Sequence, residues 1–364
     1  MSQTLVDADI FATSRVPYQP EITQADIAQA SEYRHDHEQR QSDERAARKR
    51  AQAETVKAMG DRMAQIFGSD IAFDLQMFKR SLRHRDALRQ IEDGPLDHAE
   101  AAAGRAKEFA DYLKERGINK TQFDQFTEGL TLVTPFPLVD FTGTVKPADH
   151  SDSKPAQPET THFRPPFSDW QRGHDWGLLS GFHVAVKHLQ NSAAGRVGHI
   201  ITLDDSDATD LDVGSMEADT QIVFFYRVPR TGHVEVTVNA TCERANHALR
   251  VDDEWGVSWS NVGQVASFMS HVVHPNVGTP TYSFLSELQH KKDTSTHRNE
   301  DRFWPGQQVQ SSPMVSSGPV PAGTLVEIRA GLHSTDGALT NDMTVHSKSH
   351  HSWLISQIDV RMLP

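Results

Sequence analysis

The apolar residues of this chain change their spacing once, near residue 130, and that change limits what the chain can fold into. Before it they recur every three or four positions, as in Val56, Met59 and Met63, which is the period of one helix face. After it they alternate with polar residues, as in Val234 and Val236, which is the period of a strand. We therefore predict a segregated α+β fold: an N-terminal helical bundle or short coiled coil, then an antiparallel β-sandwich with a jelly-roll-like arrangement.

Three regions follow from this pattern. Residues 1–23 contain two prolines and no clear period, which indicates an extended arm. Residues 24–129 form the predicted helical domain, and residues 130–364 the predicted β-sandwich domain. Within the sandwich, residues 146–166 contain five prolines and indicate a long exposed loop.

Helix ends can be placed within the first third. Residues 24–50 are rich in Ala, Glu, Gln and Arg and poor in large apolar side chains, so we expect a helix that is mostly solvated. A break is predicted at Gly68, an end at Gly94 and another at Gly117, and Asn119 is the expected start of a short last helix. These helices could form a self-contained or docked bundle, or an oligomerising stalk. The pattern leaves both open.

Strand signals begin at residues 130–134 and 138–145 and are strongest at residues 221–228, 234–242, 325–332 and 354–362. In the second of these segments Cys242, the only cysteine, occupies an apolar position of the alternation, which indicates a small buried hydrophobic residue. Trp255, Trp259 and Trp353 are expected in the core. With one cysteine, no disulfide can form within the chain.

Charge and hydropathy narrow the function classes. The formal net charge is −13, which repels phosphate backbones, and the one basic cluster, residues 45–50, follows directly on acidic residues. We therefore expect no nucleic-acid partner. No run of 18 apolar residues occurs, so no membrane span is predicted. Residues 1–15 lack a classical signal peptide, which predicts a protein that is cytoplasmic as synthesised and leaves export by lysis or an injection machine open.

Sequence motifs for catalysis are missing. The chain has no Gly-x-Ser-x-Gly elbow, no Walker loop and no dinucleotide-binding glycine pattern. This favours binding or assembly over catalysis.

Three tryptophans are candidate ligand-binding residues: Trp170, Trp176 and Trp304. All three lie in polar or Pro/Gly-rich surroundings, which suggests loops. Aromatic rings on loops can stack on sugars or fill partner pockets, but they can also fix long loops onto a sandwich.

Two groups of residues could bind metal. The acidic run at 203–219 contains Asp205, Asp207, Asp210 and Asp212. Its oxygen-rich side chains could bind calcium, although the spacing departs from an EF-hand loop and a solvated acidic turn also explains the run. Apart from calcium, no cofactor is predicted.

The second group comes from the twenty histidines, which are densest near the C-terminus. On a strand, His346 and His350 point to one face and His351 to the other. A zinc or iron site needs three or four converging ligands, and the His-x-His pair with a downstream Glu found in cupin-type jelly rolls is absent.

Our leading prediction is a non-enzymatic binding or assembly protein. Its helices would oligomerise or dock it, and its sandwich would recognise a glycan or protein partner. The alternative is a metal-dependent jelly-roll enzyme that uses C-terminal histidines. A third hypothesis is a toxin-like protein with a helical effector part and a receptor-binding sandwich.

Overall fold

The computed structural model describes residues 23–94, 98–130, 143–144, 146–147, 160–167, 169–180, 182–205, 211–253, 259–275, 280–292, 295–341 and 343–364. Within these residues the helices are α1 Gln24–Phe67, α2 Ile71–Asp93, α3 His98–Glu115 and α4 Lys120–Leu130. The strands are β1 Gly143–Thr144, β2 Lys146–Pro147, β3 Thr160–Phe163, β4 Asp169–Ser180, β5 Phe182–His188, β6 Arg196–Asp205, β7 Leu211–Arg227, β8 His233–Asp253, β9 Trp259–Val273, β10 Thr281–Lys292, β11 Thr296–Phe303, β12 Gln308–Gln310, β13 Met314–Val315, β14 Leu325–Asn341 and β15 Met343–Leu363. Helices precede strands, so the predicted segregated α+β fold is confirmed.

The helix ends lie where glycine and capping residues predict them. Thr23 and Asp26 form a capping box at the start of α1. Gly68 and Gly94 follow α1 and α2 with φ values of 108° and 89°, a region that favours glycine. After α3, Gly117 has a φ of 71° and its N–H donates to the Lys114 carbonyl, as in a Schellman motif.

A small apolar core joins the far end of α1 to the other helices. Its buried members are Ile71, Leu75, Phe109, Leu113 and Phe123. Met63 and Phe67, near the C-terminal end of α1, pack against this core. The helical region is therefore a bundle, and the coiled-coil stalk stays a prediction.

The strands form two sheets that pack face to face. The first has six strands in the order β1-β10-β9-β14-β7-β4, antiparallel except for β1 with β10. The second has nine, with β2-β12-β8-β15-β6-β5 as its main path and β3, β11 and β13 on its edges. The β-sandwich is confirmed, and the finer jelly-roll arrangement stays a prediction.

Alternating side chains of both sheets meet between them. The largest apolar cluster includes Phe268, Leu332 and Trp353. Trp353 is fully buried, as predicted, and Cys242 is also in this cluster, where burial raises the pKa of its thiol to about 12. For Trp259 the structure describes only its place in β9, and Trp255 lies outside the described residues.

Two sequence expectations need correction. Part of the predicted loop at 146–166 is strand, because β2 pairs with β12 and β3 pairs with β15. Leu130, expected to begin a strand, is the last residue of α4. Apart from residues 143–144, the strands expected between 131 and 145 lie outside the described residues, as does the predicted arm except for Thr23.

The first half of α1 is not simply solvated, because one side of it lies on the outer face of the six-stranded sheet. Ala30 packs with Phe225 and Leu325 in a small apolar cluster. The His37 ring stacks on the His271 ring at 4.2 Å between centroids. The helix therefore covers strands β7, β14 and β9.

Most other contacts below α1 are ionic. Arg34 donates to Glu327 at 2.5 Å, and Glu327 also accepts from Arg329 at 2.5 Å. Burial alone would raise the pKa of Glu327, but the charges and hydrogen bonds of these two arginines hold it below its ordinary value. Asp26 pairs with Arg227 at 2.8 Å, and this hydrogen bond lowers the pKa of Asp26.

No helix within the described residues has an apolar stretch long enough to cross a lipid bilayer.

Candidate functional site

The outer face of the nine-stranded sheet presents three rows of side chains across five neighbouring strands. We call these fifteen positions on β5, β6, β15, β8 and β11 the five-strand face. The strand register gives the rows as His183, Asp204, His346, Arg250 and His297, then Ala185, Thr202, Lys348, Ala248 and Asn299, then Lys187, Ile200, His350, Asn246 and Asp301. Five strands at about 4.8 Å spacing make the face about 19 Å wide.

One cavity of about 430 Å³ opens at the first two rows of this face. It contains His346, whose Nδ1 lies 3.2 Å from Oδ1 of Asp204 on the neighbouring strand. On the other side, Asp252 accepts from Arg250 at 2.5 Å and lies 3.4 Å from Nε2 of His297. The cavity therefore offers hydrogen-bond donors and acceptors close together.

A second cavity, of about 460 Å³, lies at the third row. His350 lines it beside Arg196 and Glu243, which form a two-pronged ion pair with both N–O distances at 2.8 Å. Ser352 donates to the same carboxylate at 2.7 Å. The Arg196 hydrogen bond is the main reason why the pKa of Glu243 is lowered. The Glu243 carboxylate and the Arg196 guanidinium therefore already have partners within the protein.

Trp304 lies in an exposed turn, as the sequence predicts. Its side chain is 67% exposed. Pro305 and Gly306 follow, and Gly306 has a φ of 90°, as type II turns require. The turn is fixed to β8 because Gly306 donates to the Cys242 carbonyl and the Cys242 N–H donates to the Gln307 carbonyl, each at 2.8 Å. Two residues that line the cavity, Glu243 and Arg244, follow Cys242 directly.

The other two candidate tryptophans are not on loops. Trp170 and Trp176 belong to β4 and pair in register with Ile222 and Met216 of β7. The segment is an edge strand of the six-stranded sheet. The polar residues around the two tryptophans therefore belong to a strand and not to a loop. For both tryptophans the structure describes only the backbone placement, and their role in binding stays a prediction.

His346 and His350 point to the outer face and His351 is buried, as the strand period predicts. The two outer histidines line different cavities. Within the described part of the chain, no three His, Cys, Asp or Glu side chains are grouped as a metal site. Metal binding by these two histidines stays a prediction.

The acidic run at 203–219 is largely strand, which corrects the expectation of a solvated turn. Asp205 ends β6 and Asp212 lies near the start of β7, and both are buried. Thr340 of β14 donates to Asp205 at 3.3 Å and is the register partner of Asp212. Both acids therefore point between the sheets. Asp207 and Asp210 lie outside the described residues, so the predicted calcium site stays a prediction.

Sequence reasoning missed a band of polar side chains buried between the sheets, directly behind the five-strand face. His247 lies 2.7 Å from Ser286 and 3.2 Å from Gln264, and Ser349 donates to Asp336 at 3.0 Å. The other buried members are Ser334, Ser347, His199, His351 and Thr220. The two-residue period of the strands could have revealed this band, because each of these residues occupies an inward position of its strand.

Burial disfavours the charged forms of the titratable side chains in this band. Burial raises the pKa of Asp336 to about 8 and lowers the pKa of His247 to about 4. Burial also lowers the pKa of His199 to about 3 and that of His351 well below its ordinary value. A protonated acid and neutral imidazoles that solvent does not reach are suited to packing and hydrogen bonding between the sheets.

No protein-family model and no curated protein matches the chain. Among solved structures, the chain resembles TmCBM61 in complex with β-1,4-galactotriose at 10% identity, over 46% of this chain and 88% of the other, with a TM-score of 0.12. A CBM4 structure gives 12% identity, coverages of 50% and 88%, and a TM-score of 0.13. The K1 cleaved adhesin domain of Lys-gingipain from Porphyromonas gingivalis W83 is 8% identical over 53% of this chain and 99% of the other, with a TM-score of 0.13. At such TM-scores the similarity supports no functional argument.

Proposed function

We propose that the protein is a non-enzymatic recognition protein that binds an oligosaccharide across the five-strand face. The observation that carries this proposal is the arrangement of the face, where three rows of mostly polar side chains border two neighbouring cavities. The role expected of the helices, docking or oligomerisation, stays a prediction.

The chemistry of the face suits sugar hydroxyl groups, each of which donates and accepts hydrogen bonds. Asp204 supplies an acceptor, Asn299 supplies both a donor and an acceptor, and Lys348 supplies donors. At the edge, the exposed ring of Trp304 offers an apolar surface on which a sugar ring can stack.

The same face is held rigid by its strands. β15 pairs with β6 on one side and with β8 on the other along the length of the face. Side chains on such strands lose little further backbone freedom when a ligand binds, which favours affinity.

A bulky substitution tests this proposal. Ala248 lies in the middle row and lines the first cavity, so Ala248→Trp should fill the face. The matched control is Ala322→Trp, in an exposed turn at a different end of the sandwich. We expect wild type and the control to bind the same members of an oligosaccharide array, and Ala248→Trp to bind at least about tenfold more weakly by calorimetry. Equal binding by all three proteins would exclude this face as the site.

A further inference from the structure

Three positively charged side chains surround His350 on the five-strand face. Lys348 precedes it by two residues on the same face of β15. Arg244 is the register partner of Ser352, the next outward residue, and Lys187 pairs with Ile200, the direct neighbour of His350. After burial, the charges of Arg244, Lys348 and Lys187 are the causes that lower the pKa of His350.

These three charges are exposed and uncompensated. Elsewhere around the face, arginines are paired with acids, as Arg196 is with Glu243 and Arg250 with Asp252. In the part of the chain that the structure describes, Arg244, Lys348 and Lys187 have no such acidic partner. Glu243, the carboxylate that lines the cavity, is occupied by Arg196 and Ser352.

Other acids of the face are also engaged. Asp301 accepts from Asn246 at 2.8 Å, and Asp204 contacts His346. In a protein of formal net charge −13, three free cations around His350, one of which (Arg244) lines the same cavity as His350, produce a local positive potential. Their mutual repulsion is relieved when an anion binds between them.

We propose that the oligosaccharide recognised by this face is anionic, and that a carboxylate or sulfate group of it enters the cavity beside His350. Arg244 supplies the planar fork that matches either group in a two-pronged contact, and Lys348 and Lys187 add point charges. This inference rests on the proposed function and specifies its ligand class.

The first test compares matched ligand pairs on the full-length protein. One pair is an oligogalacturonate and its methyl ester, and the other is a sulfated galactan oligosaccharide and its desulfated form. The charged member of at least one pair should bind about tenfold more tightly, and the pair that responds identifies the group as carboxylate or sulfate. At about 0.5 M salt this preference should shrink, because screening shortens the reach of exposed charges.

The second test reverses charge. Arg244→Glu with Lys348→Glu should abolish the preference for the charged ligand. The control, Arg80→Glu with Arg89→Glu, changes the net charge by the same amount at exposed positions of α2 and should leave the preference intact. Thermal unfolding of both variants checks that the fold is retained.

These experiments distinguish failure of the anionic assignment from failure of the proposed function. If charged and neutral members bind equally, and the Arg244/Lys348 variant matches its control while Ala248→Trp still loses binding, the anionic assignment is overturned and the proposed function stands. If neither member of either pair binds and the oligosaccharide array is negative, both are overturned. Tighter binding of a single-stranded oligonucleotide than of any saccharide would also overturn the saccharide class.

Discussion

The two faces of the six-stranded sheet are buried by opposite means, although the same strands supply both. On β14, Val326, Ile328 and Leu332 point inward to the apolar core. On the same strand, Glu327 and Arg329 point outward beneath α1, and both are at most 3% exposed. One face is therefore covered by the second sheet, largely through apolar contact beside the buried polar band, and the other by a helix, largely through ion pairs and histidines.

The two faces therefore contribute differently: apolar contact mainly sets the stability of the fold, and ion pairs mainly set where the helix lies. Apolar burial contributes about 25 cal/mol per Å² with little demand on direction. A buried ion pair must first offset the loss of hydration, so it adds little net stability, yet loss of one partner is costly. The inner face therefore holds the fold together, whereas the outer face fixes where α1 lies and can be disturbed without opening the core.

The largest effect is expected on the inner face. Phe268→Ala removes a ring that is 1% exposed and packs edge-on against Trp353. We expect the free energy of unfolding to fall by about 4 kcal/mol, because a cavity remains where the ring was. Chemical denaturation of the variant measures the loss. Val315→Ala, at an exposed position, is the control and should change stability by less than about 0.5 kcal/mol. A loss below about 1 kcal/mol for Phe268→Ala would mean that the inner face is not the stabilising one.

On the outer face, Glu327→Ala should act locally. It leaves Arg34 and Arg329 without their shared carboxylate, at a cost of about 3 kcal/mol. Hydrogen exchange should speed up at residues 26–48 of α1, while amides of β8 and β15 keep their protection. The control is Arg48→Ala, which breaks a half-exposed pair with Glu217 and should cost less than about 1 kcal/mol. Faster exchange throughout the sandwich would show that both faces unfold as one unit.

A smaller effect should come from pH. Burial, followed by nearby charges, lowers the pKa of His37 to about 4 and that of His271 to about 2. Arg329, Arg40 and Arg45 reinforce the lowering for His37, and Glu327 opposes it. Because both pKa values are depressed, docking of α1 is favoured above the ordinary histidine pKa of about 6.5 and is weakened as pH falls below it.

At pH 5 each of these histidines should weaken docking by about 2 kcal/mol, relative to pH 7. Hydrogen exchange at residues 26–48 compared at the two pH values measures this. Glu327, whose pKa is lowered, acts only at more acidic pH, and Asp336, whose pKa is raised, changes the stability of the sandwich in the opposite direction. His37→Gln should remove about half of the pH dependence. An unchanged pH dependence in this variant would contradict the assignment.

Much of the inner face could be predicted from the sequence. The alternation of apolar and polar residues at 234–242 and 325–332 identified the inward residues, because a strand with one face against the core places every second side chain in it. Glycines at 68, 94 and 117 marked helix ends for an equally local reason. These features depend on residues close together in the chain.

The outer face could not be predicted in this way. The side of α1 that lies on the sheet contains Arg34, His37 and Arg48, which in isolation indicate a solvated helix. Their partners Glu327, His271 and Glu217 lie far along the chain, so only the folded arrangement pairs them. The buried histidines were missed for another reason. Their polar side chains counted for more in the prediction than their inward positions in the strand alternation.

The length of α1 has a mechanical consequence. Its 44 residues span about 66 Å, and the same continuous helix lies on the sheet at one end and packs into the bundle at the other. A tilt of about 5° at the sheet would displace the bundle end by about 6 Å over that length. Any change of tilt caused by protonation of His37 or His271, whose rings stack between the first half of the helix and the sheet, would therefore be magnified at its far end.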